Sequence, residues 1–135
     1  MERVKERLRV ARQALATLQE LATKSSLSTV ERDAMIQRFE YTFETVWKSA
    51  QTYLRVVEGI TANSPKSAVR FSWQTGLLDE KTTSIALQMC EDRNMTVYTY
   101  NEKIASSLAF QIREYSRVLQ MWLTAMENRI SETNI

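Results

Sequence analysis

The sequence contains no histidine and a single cysteine, Cys90. Histidine is the usual general base near pH 7 and the commonest ligand of transition metals, so chemistry that needs a histidine from this chain is excluded. One cysteine forms no intramolecular disulfide, and without histidine a zinc site is implausible. Carboxylates could still bind Mg²⁺, but we predict no metal ligands and no cofactor. We expect Cys90 to be a buried small apolar residue.

Glycine and proline are also scarce, since the 135 residues include two glycines and one proline. Tight turns between strands depend on these residues, so their scarcity disfavours strand-rich architectures and favours long helices. A chain of this length fits one domain with one hydrophobic core. We therefore predict an all-α protein in which residues 1–135 form a single domain.

The sequence has no strong excess of either charge. Its 18 Lys and Arg residues and 16 Asp and Glu residues give a net charge of +2. This balance alone does not indicate a nucleic-acid or membrane-surface partner. Met1 to Arg12 is more basic, with five Lys or Arg and two Glu, and forms either a basic stripe or a solvated helix face. No secretory segment follows Met1, and no apolar run approaches the ~20 residues that span a bilayer, so we expect a cytoplasmic protein.

The stretch from Glu31 to Leu54 has the clearest helical pattern. Its face is lined by apolar residues at intervals of three or four, namely Ile36, Phe39, Phe43, Val46, Trp47, Ala50, Leu54 and Val57. Ser28 and Glu31 have the spacing of a capping box, and Gly59 suits a helix C-terminus. A helix this long needs partners on its apolar face, because packing supplies most helical stability.

Other segments show the same periodicity or clear start signals. We predict helices over Glu2 to Leu21, over Pro65 to about Thr75, from the cap Asp79 to about Arg93, and from the capping-box spacing of Thr99 and Glu102 through Met126. Helices of these lengths pack most economically when neighbours run antiparallel. The predicted fold is an antiparallel up-and-down four-helix bundle with one short extra helix.

Three segments of the sequence resemble a known family. They are Ile36 to Glu44 with Trp47-Lys48, Asn63-Ser64-Pro65 with Gly76 to Asp79, and Glu91 to Thr96 with Thr99-Tyr100. In order and spacing they are similar to the nucleotidyltransferase substrate-binding proteins, a branch of the HEPN superfamily of helical-bundle domains. The likeness extends from about Glu31 to Ile112.

The resemblance implies a helical bundle that forms a homodimer and works beside a small nucleotidyltransferase made as a separate chain. Such a pair resembles a kanamycin-type nucleotidyltransferase whose two domains are divided between two chains. In relatives the pair is a toxin–antitoxin system, in which the HEPN chain is an RNase that the nucleotidyltransferase silences by transferring AMP to a tyrosine. From the resemblance we predict a non-catalytic subunit that binds a nucleotide or another substrate, with RNA as an alternative ligand and no membrane partner.

The RNase motif of those relatives reads Arg, four to six residues, His, any residue, Tyr. Arg93 and Tyr100 match it, but Tyr98 stands at the histidine position. Tyrosine titrates near pH 10, so roughly one molecule in a thousand is phenolate at pH 7, and it replaces imidazole poorly as an acid or base. This departure weakens the alternative of an RNase that uses Arg93, Tyr98 and Tyr100, whereas Tyr100 keeps the hydroxyl that would accept a nucleotide.

The binding site implied by the resemblance is a cleft. We predict that it is lined by Arg38, Glu40, Lys48, Arg93, Asn94, Tyr98 and Tyr100. Arg93 suits such a site because a guanidinium binds phosphate through two parallel hydrogen bonds. A structural alternative stays open, because a cation at the end of a helix is favoured by the helix dipole without a ligand. A third interpretation is an interaction bundle whose dimer interface is its whole role.

Overall fold

The structure is a computed structural model and describes residues 1–133. These residues contain no strand and five α-helices, namely α1 (Glu2–Ala22), α2 (Thr29–Tyr53), α3 (Pro65–Gln74), α4 (Glu80–Arg93) and α5 (Glu102–Thr133). The predicted all-α class is confirmed, and most helix bounds agree with the periodicity to within a few residues. Over the same residues, no helix has the unbroken apolar length that crossing a bilayer requires.

Contacts between the long helices define an antiparallel bundle. Later residues of α2 and α5 lie against earlier residues of α1, as neighbouring antiparallel helices require. The pairs that establish this order are Arg38 with Thr17, Thr42 with Ala14, Gln120 with Gln19, and Arg113 with Ala22. The shorter α3 and α4 form a second antiparallel pair, joined by an ion pair between Lys66 and Glu91. The predicted four-helix bundle with one short extra helix is therefore confirmed.

The N-terminus of α2 has the predicted capping box. The Ser28 hydroxyl accepts a hydrogen bond from the Glu31 amide at 3.1 Å, and the Glu31 carboxylate accepts one from the Ser28 amide at 2.9 Å. Lys24 also pairs with Glu31. The hydrogen bond from Lys24 is the main reason why the pKa of Glu31 is lowered to about 2, followed by the bond from the Ser28 amide. Two amides that α2 itself leaves without partners are thereby satisfied.

We expect Ser28→Ala to lower the free energy of unfolding by about 1 kcal/mol, because the first turn of α2 loses a hydrogen-bond acceptor. Urea unfolding followed by circular dichroism measures this change. Ser26→Ala is the matched control, since Ser26 is exposed in the connection before the helix. An equal effect of both variants would contradict the capping account.

The connection between α2 and α3 begins with a π-helical turn over Leu54–Glu58. Gly59 ends this turn with a φ of 70°, the left-handed conformation that glycine adopts most easily. Ser64 then caps α3 by accepting a hydrogen bond from the Ser67 amide at 3.1 Å, and Pro65 is the first helical residue. Both predicted signals, the glycine stop and the Ser-Pro start, are confirmed.

The predicted start of the last helix is wrong. Thr99 and Glu102 have capping-box spacing, but α5 begins at Glu102, and Asn101 caps it by accepting a hydrogen bond from the Ile104 amide at 3.1 Å. Residues Asn94–Tyr98 form a 3₁₀ turn that follows α4 directly. This turn carries the backbone as far as Thr99 in a helical conformation, so Thr99 is not free to take the extended conformation that an N-cap needs.

Two buried aromatic residues of α5 fix the shorter helices. Trp122 is fully buried, and its indole N–H donates to the Ser72 hydroxyl of α3 at 2.9 Å. Tyr115 stacks on Phe39 of α2, with 5.8 Å between ring centroids, and donates to Asp92 of α4 at 2.5 Å. Burial and this bond to a carboxylate raise the pKa of Tyr115. The last turn of α4 is therefore held firmly against the bundle.

Candidate functional site

Glu44 on α2 is the centre of a charged cluster. Its Oε1 atom accepts hydrogen bonds from Nη2 of Arg93 and from the indole N–H of Trp47, both at 2.9 Å. Its Oε2 atom lies 3.5 Å from Nζ of Lys48, one helical turn further along α2. One carboxylate thus joins two cations that the sequence predicted as site residues.

Arg93 is placed by the end of α4. It is the last residue of that helix, and its carbonyl accepts a hydrogen bond from the Thr96 hydroxyl at 2.9 Å in the 3₁₀ turn. The guanidinium lies over the ring of Phe43, 5.8 Å from the centroid, in a cation–π arrangement. Its Nε atom is buried without a hydrogen-bond partner. The side chain is still 32% exposed, so part of the guanidinium is accessible to a ligand.

A groove of about 290 Å³ opens beside Arg93. It is lined by Phe43, Ser64, Pro65, Lys66, Arg93 and Asn94, and we call it the Arg93 groove. The N-terminus of α3 borders it, and a helix N-terminus carries a partial positive charge. Lys66 adds a second cation, although it pairs with Glu91. The groove therefore combines two cationic side chains and a helix dipole, the arrangement that binds a phosphate group.

Cys90 also borders the Arg93 groove. It is buried, as predicted from the sequence. Burial raises the pKa of the thiol to about 11, despite the nearby charges of Lys66 and Arg70. Because only the thiolate is a good nucleophile, this residue forms an apolar part of the wall and not a reactive group.

A second groove, of about 390 Å³, lies between the first turns of α1 and the middle of α2. It is lined by Arg3, Glu6, Arg7, Val10, Glu44 and Lys48, and we call it the N-terminal groove. Glu44 belongs to its wall and also binds Arg93. The two grooves are therefore neighbours with one carboxylate between them.

Two predicted residues lie in other surroundings. Arg38 donates to the Thr17 carbonyl at 2.7 Å and to the Glu20 carboxylate at 3.0 Å, so its contacts fasten α2 to α1. Glu40 borders a different groove, of about 440 Å³, together with Thr96 and Thr99. Neither residue contributes to the Arg93 groove or the N-terminal groove in this structure.

The two motif tyrosines follow α4 on the 3₁₀ turn and just beyond it. Tyr98 is 40% exposed and Tyr100 is 81% exposed. Their rings meet edge to face, with 6.1 Å between centroids. The Tyr100 ring is the most exposed aromatic side chain among residues 1–133. The Tyr100 side chain is therefore accessible to another molecule.

Glu44 and Lys66 were not among the predicted site residues. Glu44 stands four residues before Lys48 on one helix, and this spacing by itself predicts an ion pair between them. Lys66 follows Pro65 at the start of α3, where its contact with the Arg93 groove depends on how α3 packs against α4. The sequence therefore contained a signal for Glu44, whereas it contained none for the role of Lys66.

The chemistry available to this cluster is anion binding. Arginine and lysine form charge-assisted hydrogen bonds with phosphate, and Phe43 and Trp47 add apolar and aromatic surface beside them. Over the described part of the chain, no group of three or more His, Cys, Asp or Glu side chains is arranged to hold a metal ion.

Comparisons with known proteins bear on the fold and the family of this chain. A family model described as nucleotidyltransferase substrate binding protein like matches residues 6–128. A crystal structure of a protein from Thermus thermophilus is similar to this chain, with 46% sequence identity and a TM-score of 0.83. The match covers 86% of this chain and 98% of that one. No curated protein sequence matches the chain.

Proposed function

The chain belongs to the nucleotidyltransferase substrate binding protein like family, and from this premise we propose that it is the binding subunit of a two-chain nucleotidyltransferase. In this proposal the chain acts as a homodimer and holds a nucleotide or the acceptor substrate, while a separate small nucleotidyltransferase performs the transfer. The Arg93 groove is the site at which the phosphate-bearing ligand binds.

The arrangement of Arg93 carries this proposal. Its guanidinium borders the groove and is held in place by Glu44 at 2.9 Å and by the ring of Phe43. A cation fixed in this way loses little conformational freedom when it binds a ligand, so binding costs less free energy. Lys66 and the N-terminus of α3 add positive charge on the same groove.

Tyr100 is the proposed nucleotide acceptor if the pair is a toxin–antitoxin system. Its ring is 81% exposed, and a partner enzyme could therefore reach its hydroxyl. An AMP group attached there would appear in intact-mass analysis as a covalent adduct that is absent from Tyr100→Phe.

The alternative of an RNase that uses Arg93, Tyr98 and Tyr100 requires RNA cleavage by the purified chain that disappears in Arg93→Ala.

We expect Glu44→Gln to bind AMP about three- to tenfold more tightly than the unsubstituted chain. Glutamine keeps the size and the acceptor oxygen that position Arg93, but it removes a negative charge that competes with phosphate for this cation. Isothermal titration calorimetry of AMP into both proteins measures the difference.

Glu102→Gln is the matched control for this titration. Glu102 also pairs with an arginine of α2, Arg32, at 2.5 Å, but it lies outside both grooves. Its replacement should leave the affinity for AMP unchanged. Weaker binding by Glu44→Gln, or absence of binding by the unsubstituted chain, would contradict the assignment of the ligand to the Arg93 groove.

A further inference from the structure

We propose that the N-terminal groove is a second anion subsite, and that it acts together with the Arg93 groove to bind a ligand with two or more phosphate groups in a row. This inference rests on the proposed function, because it extends the same site. It concerns Arg3, Arg7 and Lys48, of which only Lys48 has a counterpart in the family resemblance.

Two cations of this groove have no ion-pair partner. Among residues 1–133, neither Arg3 nor Arg7 forms an ion pair or a side-chain hydrogen bond. Other arginines of the bundle, such as Arg9 and Arg12, form ion pairs with glutamates. Two guanidinium groups one helical turn apart on α1 thus line one groove, and neither is paired with a carboxylate.

The acidic residues of the same groove are engaged elsewhere. Glu6 accepts two hydrogen bonds from Arg9, at 2.6 and 3.1 Å, and the first cause of its lowered pKa is this bond. Glu44 binds Arg93, Trp47 and Lys48. The positive potential of Arg3 and Arg7 is therefore available to an anion from solution.

Arg7 and Arg93 share an unusual feature. In both residues the Nε atom is buried and has no hydrogen-bond partner. Buried N–H groups without an acceptor are uncommon in folded proteins, because nothing compensates for their desolvation. Here the two arginines border two adjacent grooves, and an anion in those grooves would interact favourably with their guanidinium charges.

Because Glu44 contacts a cation of each groove, the cations of the two grooves form one continuous series. Arg93 lies 2.9 Å and Lys48 lies 3.5 Å from the two oxygens of its carboxylate. The cations therefore follow one another from Lys66 and Arg93, past Lys48, to Arg7 and Arg3. A single phosphate reaches only part of this series, whereas a row of phosphates can engage cations on both sides of Glu44.

Calorimetric titration with inorganic phosphate and with inorganic tripolyphosphate tests the inference. We expect the unsubstituted chain to bind tripolyphosphate at least tenfold more tightly than phosphate. Arg7→Gln should weaken tripolyphosphate binding about tenfold and change phosphate binding less than twofold, because a single phosphate remains in the Arg93 groove. Arg3→Gln should act in the same direction.

Arg117→Gln is the matched control, since it removes the same charge from an exposed residue of α5 that borders neither groove. An equal loss in Arg117→Gln and Arg7→Gln would reduce the effect to net charge and overturn the inference. Unchanged tripolyphosphate binding in Arg7→Gln, with phosphate binding lost in Arg93→Ala, would also overturn it while leaving the proposed function intact. Binding of neither anion by the unsubstituted chain would reject both.

Two sources could supply such a row of phosphates, and two further titrations distinguish them. ATP represents a nucleoside polyphosphate, and a short single-stranded oligonucleotide represents a nucleic-acid strand. Tighter binding of ATP assigns the first source, and tighter binding of the oligonucleotide, with a steeper dependence on salt, assigns the second. In either case Arg7→Gln should weaken the tighter ligand, and a failure to do so would overturn the inference.

Discussion

Arg93→Ala is expected to lower the affinity for AMP about 10- to 100-fold. Hydrogen bonds between a charged donor and a phosphate contribute about 1.5–3 kcal/mol each, and the substitution removes the cation that borders the groove. It also removes one of the two cations that pair with the Glu44 carboxylate, so less of the negative charge near the phosphate is compensated. Both consequences act against binding.

Arg117→Ala is the control for this measurement. Arg117 is an exposed arginine of α5 that borders neither groove, so its loss changes the net charge equally and leaves the site intact. Calorimetric titration of both variants separates a local effect from a general electrostatic one. Affinities that agree within twofold between the two variants would contradict the role assigned to Arg93. The folded state of Arg93→Ala is verified by its unfolding transition.

Trp122→Ala is expected to lower the free energy of unfolding by about 3–5 kcal/mol. The side chain is fully buried, so truncation removes a large apolar surface and leaves a cavity between α3 and α5. The hydroxyl of Ser72 also loses the indole N–H that it binds at 2.9 Å. A loss of this size is a large part of the 5–15 kcal/mol that is typical of a whole domain.

Urea unfolding compares this variant with Met121→Ala. Met121 is the preceding residue on α5, and it is about half exposed, so its truncation should change the free energy of unfolding by about 0.5 kcal/mol or less. Loss of a cooperative transition in Trp122→Ala would agree with the prediction. A change below about 1 kcal/mol would show that α3 does not depend on this contact.

Most helix boundaries could be predicted from local sequence signals. Ser28, Ser64 and Asp79 each accept a hydrogen bond from the first turn of the helix that they precede, as their side chains predict. The start of α5 could not be predicted in this way, because Thr99 and Asn101 are both acceptable caps. The 3₁₀ turn after α4 excludes Thr99 as the cap, because it keeps the backbone helical as far as Thr99.

The candidate site was predictable only in part. Lys48 and Arg93 were named from the sequence and meet on Glu44. Arg38 was named with them, but it lies six residues before Glu44 and binds α1. Six residues correspond to about 240° of rotation beyond a full turn, so the two side chains point to different sides of α2. Which side carries the site depends on the arrangement of α4, and no pattern within α2 encodes it.

The central claim is that this chain binds a ligand for a nucleotidyltransferase made as a separate chain. The most direct measurement is affinity purification of the tagged chain from its native host, followed by intact-mass analysis of every recovered protein. Our account predicts that a small nucleotidyltransferase copurifies with the homodimer. A nucleotide adduct mapped to Tyr100 would in addition identify this chain as the acceptor. Recovery of the unmodified homodimer alone would contradict the account and favour an interaction bundle without a transferase partner.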